Sequence, residues 1–206
     1  ECFDNSNTQG TDPVSACVVF KDGKPSKKDY RHFNIRTVEG PDDFATMEEA
    51  VERRYSRLLT EGEPLPQLVV IDGGKGQLGA ALKVFERLGL RGRIALIGIA
   101  KQLEELYFPG DPVPLHIDKR SQTLKVIQHM RNEAHRFGIT HHRARRGKRV
   151  VRTSLEEIPG IGPATASELL KRFGSIKGIQ EAPYEHLVHA IGERKAALVK
   201  ERLGLK

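Results

Sequence analysis

The sequence predicts an α/β domain, a mixed sheet with helices on both faces, followed by a small all-α domain. Three observations carry this. Residues 68–72 (LVVID) and 94–100 (IALIGIA) are continuous apolar runs, the signature of strands covered on both faces. Residues 14–20 (VSACVVF) and 30–35 read as strands joined through a turn at Lys21, Asp22, Gly23 and Lys24. Beyond a basic stretch at residues 141–152, two helix–turn–helix patterns about thirty residues apart replace the α/β texture.

The elements follow in order. Residues 1–4 form a short apolar first strand. Residues 14–20 form the second. In the third, 30–35, Tyr30, His32 and Asn34 alternate with Arg31, Phe33 and Ile35. Pro41, Asp42 and Asp43 signal a helix start, and Phe44, Met47, Val51 and Leu58 lie at helical spacing through about residue 59. The buried strand 68–72 ends in Asp72 and is broken by Gly73, Gly74, Lys75 and Gly76. A helix then runs to about residue 88, with Leu78, Leu82, Phe85 and Leu88 on one face. Strand 94–100 follows, then two short strands at 105–108 and 114–117, and a last helix at 121–137. The order β-β-β-α-β-α-β-α gives hairpin-linked strands first and helix-linked strands after. The predicted units are 1–140, a linker at 141–152, and a helical domain at 153–206.

The 206 residues are 38% hydrophobic and 30% charged, a globular balance. No apolar run is long enough for a membrane span. The chain opens on Glu-Cys-Phe-Asp with no Met or leader pattern, and reads as a piece of a longer protein. Cys2 and Cys17 read as buried thiols of a reducing cytoplasm, and no Cys/His spacing suggests structural zinc. The net charge is +7, and nearly all of it sits in 141–152 (HHRARRGKRVVR), which holds six basic residues and no acid. Such a block suits a polyanion, through Arg143, Arg145, Arg146, Lys148 and Arg149; a solvated connector has the same composition.

Asp4 ends or sits within the first strand and Asp72 ends the central one, positions at the edge of an α/β sheet where sites form. If their strands are neighbours, the two carboxylates converge and repel, a conflict that a divalent cation removes. An isolated Asp serves more often as a cap, turn residue or ion-pair partner. His135 shares a helical stripe with Leu124, Gln128 and Arg131, while Glu133 lies about 200° around the helix and faces elsewhere. A lone helical His is more often structural, and His129, His141 and His142 compete with it. The loop at 73–76 lacks the spacing of a nucleotide-hydrolysing phosphate loop, with Gln77 where Ser or Thr is needed. Its glycines permit a tight turn beside Asp72, and Lys75 either reaches a phosphate or covers the helix start. Gly160, Ile161 and Gly162 form a turn that brings backbone close to a phosphate, with helix N–H groups behind it.

These stretches together (ECFDNS, then Gln9-Gly10-Thr11, VVIDGGKGQL, VIQHMRNEAHRFGI and the PGIGP turn) resemble the C-terminal half of the UvrC family, bacterial excinuclease subunits. The resemblance covers essentially the whole chain. It implies an RNase H-like endonuclease domain and a tandem helix–hairpin–helix domain. It further implies a metal-dependent 5′ incision of damaged double-stranded DNA in nucleotide excision repair, with UvrA and UvrB as partners. The family's two aspartates and histidine map onto Asp4, Asp72 and His135, the acids being metal ligands for Mg²⁺ or Mn²⁺. Asp43 and Lys75 match accessory positions, although Asp42 and Asp43 equally suit a helix cap. The rival readings are a non-catalytic DNA-binding module that keeps the fold, and a protein-interaction scaffold. Two departures stand out. Asn7 replaces a usual His, and the second hairpin, Ile191-Gly192-Glu193-Arg194, has one glycine and an acid, which predicts a weaker phosphate grip than at Gly160 and Gly162.

Overall fold

The computed structural model describes residues 1–8, 11–38, 40–100 and 105–204; the side chains of 6–8, 11, 12 and 141–151 lie outside the described part. In chain order the strands are β1 (Cys2–Thr8), β2 (Thr11–Val18), β3 (Phe20–Lys21), β4 (Lys24–Pro25), β5 (Arg31–Asn34), β6 (Leu68–Asp72), β7 (Ala95–Ile99) and β8 (Leu106–Tyr107). The helices are α1 (Asp43–Glu61), α2 (Lys75–Arg87), α3 (Gln122–Glu156), α4 (Pro163–Phe173), α5 (Ile176–Glu181), α6 (Tyr184–Ile191) and α7 (Glu193–Leu203). The chain folds as two compact units, Glu1–His142 and Arg143–Lys206.

The first unit is built on a six-stranded sheet of order β5-β2-β1-β6-β7-β8. β1 pairs antiparallel with β2 and parallel with β6, so the hairpin half and the helix-linked half join at β1/β6. One face is covered by α1 and α2, whose Met47, Val51, Tyr55, Ala81, Val84 and Phe85 pack on Phe3, Val69 and Ile71. The other face is covered by α3, whose Ile127, Met130 and Ala134 pack on Cys2, Val70, Ile97 and Ile99. The alternation Cys2/Phe3 and Val70/Ile71 is the strand's two-residue period feeding two cores.

Four expectations change. The Lys21–Lys24 turn exists, but it closes a separate two-stranded ribbon, β3–β4, and the ladder to β5 comes from Val14–Cys17 on β2. The strand expected at 114–117 reduces to one bridge, Leu115 to Leu106, where three prolines (Pro109, Pro112, Pro114) remove ladder donors. Phe44 lies on the helical stripe of α1 yet is 57% exposed, because the first turn overhangs the strand ends. The last helix does not stop near residue 137. It runs on through the basic stretch to Glu156, since nothing from 138 to 156 breaks a helix apart from two tolerated glycines.

In the second unit, Leu155, Ile158, Ile161, Ala166, Leu169, Ile179, Leu187, Ala196 and Val199 form the core. Ala166 and Leu169 stand at the same offsets from Gly162 as Ala196 and Val199 do from Gly192, so the two hairpins bury equivalent positions. Among the described residues, no helix is long and apolar enough to cross a membrane.

Candidate metal centre

Parallel pairing of β1 and β6 sets Asp4 opposite Asp72 as register partners. Both are nearly fully buried, 1% and 3% exposed. They share the sheet face of Cys2 and Val70, the face that α3 covers. On α3, Met130 and Ala134 point into that core, and His135, one residue on, reaches the sheet's edge. Its Nδ1 stands 3.0 Å from Asp4 Oδ2, and its side chain is 52% exposed against 1% for Asp4. One ligand atom from each of Asp4, Asp72 and His135 lies within 4.8 Å of the others, and among the described residues this is the group of such donors that the chain assembles.

The donor set fits a small divalent ion. Donors around an ion coordinated at about 2.1–2.5 Å are themselves roughly 3–5 Å apart. Two carboxylates and one imidazole suit a divalent cation that takes oxygen and nitrogen donors. The nearest thiol, Cys2, is held protonated: burial pushes it well above its ordinary value, and the Asp72 and Asp4 charges push further.

Glu133 turns away from the centre, as the helical rotation requires. It accepts from Tyr30 Oη at 3.1 Å and pairs with Arg136 at 2.7 Å. The Arg136 guanidinium holds its carboxyl below the usual range against the opposing effect of burial, and burial with the Glu133 charge pushes the Tyr30 phenol up. The competing His129 packs edge-on against Phe20; the side chains of His141 and His142 lie outside the described part.

The accessory positions separate. Asp42 is the cap of α1, its Oδ1 accepting from the amides of Phe44 and Ala45, and Asp43 is the exposed first helical residue. Asn5, next to Asp4, donates from Nδ2 to the Asp43 carbonyl at 2.8 Å and ties the middle of β1 to the start of α1. Sequence reading passed over Asn5; its signal was its place beside Asp4 in a strand, where an amide needs partners. Lys75 opens α2, with Nζ on the Pro112 carbonyl at 2.5 Å and 5.1 Å above the Tyr107 ring. It is thus engaged with the segment after β8 and is not grouped with the three donors.

At the first hairpin, Gly160 has φ +86° and Gly162 caps α4 in extended conformation, while Ile161 between them is 2% exposed and anchors the turn. An added Cβ at Gly162 would meet open space and one at Gly160 would press on Leu198 Cδ1 at 3.2 Å, with Pro163 as the first helical residue. At the second hairpin Gly192 carries φ +81° and ψ 155° and joins α6 directly to α7. Lys195 Nζ donates to Thr165 Oγ1 at 3.0 Å, linking the third residue of α7 to the third of α4. The helix starts of the two hairpins are thus neighbours. The backbone at Arg143, Arg145, Arg146, Lys148 and Arg149 continues α3; their side chains lie outside the described residues.

A mixed sheet with a carboxylate–carboxylate–imidazole centre at its strand ends, followed by paired helix–hairpin–helix units, defines an RNase H-like endonuclease domain with a nucleic-acid-binding tandem. The UvrC RNase H endonuclease domain matches residues 1–139, and a SAM-like helix–hairpin–helix tandem matches 153–204. The chain belongs to the UvrC family. It is 64% identical over 199 residues to UvrABC system protein C of Christiangramia forsetii, covering 97% of this chain and 33% of that protein. It is 58% identical over 206 residues to the protein of that name from Porphyromonas gingivalis, covering 100% and 34%. To that of Prosthecochloris aestuarii it is 50% identical over 199 residues, covering 97% and 32%. The chain spans about a third of the length of the curated relatives it matches.

Proposed function

We propose that this chain is a divalent-metal-dependent DNA endonuclease module that makes the 5′ incision beside a lesion in nucleotide excision repair. The observation that supports it is the convergence of Asp4, Asp72 and His135 from three elements onto one strand end. Asp4 and Asp72 hold the ion, Mg²⁺ or Mn²⁺, most simply one ion, since His135 replaces the third carboxylate of a two-ion site. When bound, the metal supplies charge neutralisation at the phosphate and an acidified water. Burial of the acids keeps bulk water from competing for their oxygens. His135, half-exposed with Nδ1 against Asp4 Oδ2, carries a proton between solvent and the site. The backbone turn at Gly160, Ile161 and Gly162 holds DNA phosphate without reading sequence. The basic helix stretch of Arg143, Arg145, Arg146, Lys148 and Arg149 adds phosphate neutralisation, and lesion choice falls to damage-recognition partners of the UvrA and UvrB type. Placement in the cytoplasm follows from that role.

The test is nicking of a lesion-bearing duplex by the whole protein with its partners, with and without Mg²⁺ or Mn²⁺. Asp4→Ala is expected to abolish the 5′ nick and leave DNA affinity within about twofold, since the phosphate contacts of the Gly160, Ile161 and Gly162 turn and of the basic stretch remain. A variant that still cuts would overturn the assignment.

A further inference from the structure

The first turn of α1 sets an aromatic ring where the core cannot use it. Phe44 is 57% exposed although Met47 and Val51 on the same stripe are fully buried. Its ring lies across the start of α2. A Cβ built on Gly76 would stand 2.4 Å from Phe44 Cε1, so the ring occupies the space that any side chain at 76 would need. From the other side, the carbonyl of the preceding residue, Asp43, is held by Asn5 Nδ2 at 2.8 Å. Asn5 follows Asp4, and Gly76 follows Asp72 by four residues. The turn that carries the ring is therefore tied to β1 beside Asp4, and the ring itself rests on the first turn of α2, four residues after Asp72. A Phe in this place forgoes most of the burial a core Phe obtains. The two residues before it are Asp42 and Asp43, both exposed. Two carboxylates disfavour a phosphate at this spot, while a neutral ring face accepts a base irrespective of its sequence.

We propose that Phe44 is a DNA-stacking residue whose exposed face receives an unpaired base flanking the phosphate held at Asp4, Asp72 and His135. This rests on the nuclease reading for the identity of the ligand. A base must leave the duplex to be received, so DNA with unpaired nucleotides beside the cut is the preferred substrate.

Because the chain has no Trp, Phe44→Trp installs a single reporter whose emission falls when a base stacks on it. The probes are a fully paired duplex, the same duplex with an internal run of unpaired thymidines, and one in which that run is abasic, all in EDTA. Quenching is expected on the thymidine duplex and its absence on the abasic one, which keeps the phosphates and lacks the bases. Phe44→Leu, which keeps apolar cover over Gly76, is expected to weaken binding of the thymidine duplex about tenfold, the size of one stack, and to leave the abasic duplex unchanged. Equal quenching on the thymidine and abasic duplexes, no quenching at all, or a Phe44→Leu defect seen only with partner proteins present overturns the proposal. Nicking of the thymidine duplex by the unsubstituted chain in Mn²⁺ is measured alongside. Nicking without base-dependent quenching sinks the stacking proposal alone; base-dependent quenching without nicking, with or without partners, sinks the nuclease reading alone.

Discussion

Replacing Asp72 by Asn should make the metal-free protein more stable and at the same time unable to gain stability from metal. Asp4 and Asp72 are register partners, both buried, with ligand atoms within 4.8 Å. Two like charges at that separation repel by about 3 kcal/mol at the effective dielectric of about 20 suited to protein sites. The amide keeps the shape and gives back roughly 1 kcal/mol through weaker hydrogen bonding. The net gain is about 2 kcal/mol, which for a domain of this size raises the midpoint by roughly 5 °C. Choosing Asp72 leaves the His135–Asp4 contact intact. In Mn²⁺ at about a hundred times its Kd, the unsubstituted protein should gain close to 3 kcal/mol and the variant almost nothing. Scanning calorimetry in EDTA and then in Mn²⁺ reads both effects. A variant that melts below the parent in EDTA, or that shifts as far as the parent with Mn²⁺, refutes the reasoning.

Four further outcomes are expected. His135→Ala should slow incision by about a hundredfold or more, the usual worth of a positioned acid–base group, with DNA affinity unchanged in a filter-binding titration. Gly162→Glu should leave denaturant stability alone, since Gly162 has φ −87° and no heavy atom near an added Cβ, while costing about tenfold in DNA affinity from a carboxylate at a phosphate-binding helix start. Gly192→Glu should instead lower stability by about 1–3 kcal/mol, because φ +81° with ψ 155° is a glycine conformation, so the two variants separate binding from folding. Glu49 accepts from the Thr37 hydroxyl, the Thr37 and Arg36 amides and Arg53; burial alone would raise its carboxyl, and these bonds hold it below the usual range. Its stabilisation is present above the unfolded glutamate value and is lost as pH falls through the folded one. Glu49→Gln should therefore cost about 1–2 kcal/mol at neutral pH in urea unfolding, with the gap closing below about pH 4.

The sequence made Asp72 readable because a buried run ended by an acid and broken by glycines has few other meanings. Asp4 could be read as its companion only on the premise that their strands are neighbours, and the parallel β1/β6 register supplies that premise. His135 was one helical histidine among several, and only family likeness singled it out; which one meets Asp4 depends on how α3 lies on the sheet, a packing outcome that periodicity does not encode. Phe44 was misplaced for a related reason. Helical spacing assigns a face, and it says nothing of where the sheet beneath that face ends. The length of α3 was missed because basic composition was read as a connector, although Arg and Lys are good helix formers.

The three side chains of the candidate centre are far apart along the chain: Asp4 and His135 are separated by 131 residues. The pairing of β1 with β6 is long-range and parallel, and sliding it by one residue turns Asp4 to the opposite core. Synthesis therefore completes the donor set only after most of the first unit has emerged and its sheet has closed in the right register. A stalled, truncated or proteolysed chain lacking α3 carries the acids without the imidazole. The topology of the site thus ties the complete trio to an intact, correctly registered first unit, since each of its three members comes from a different element.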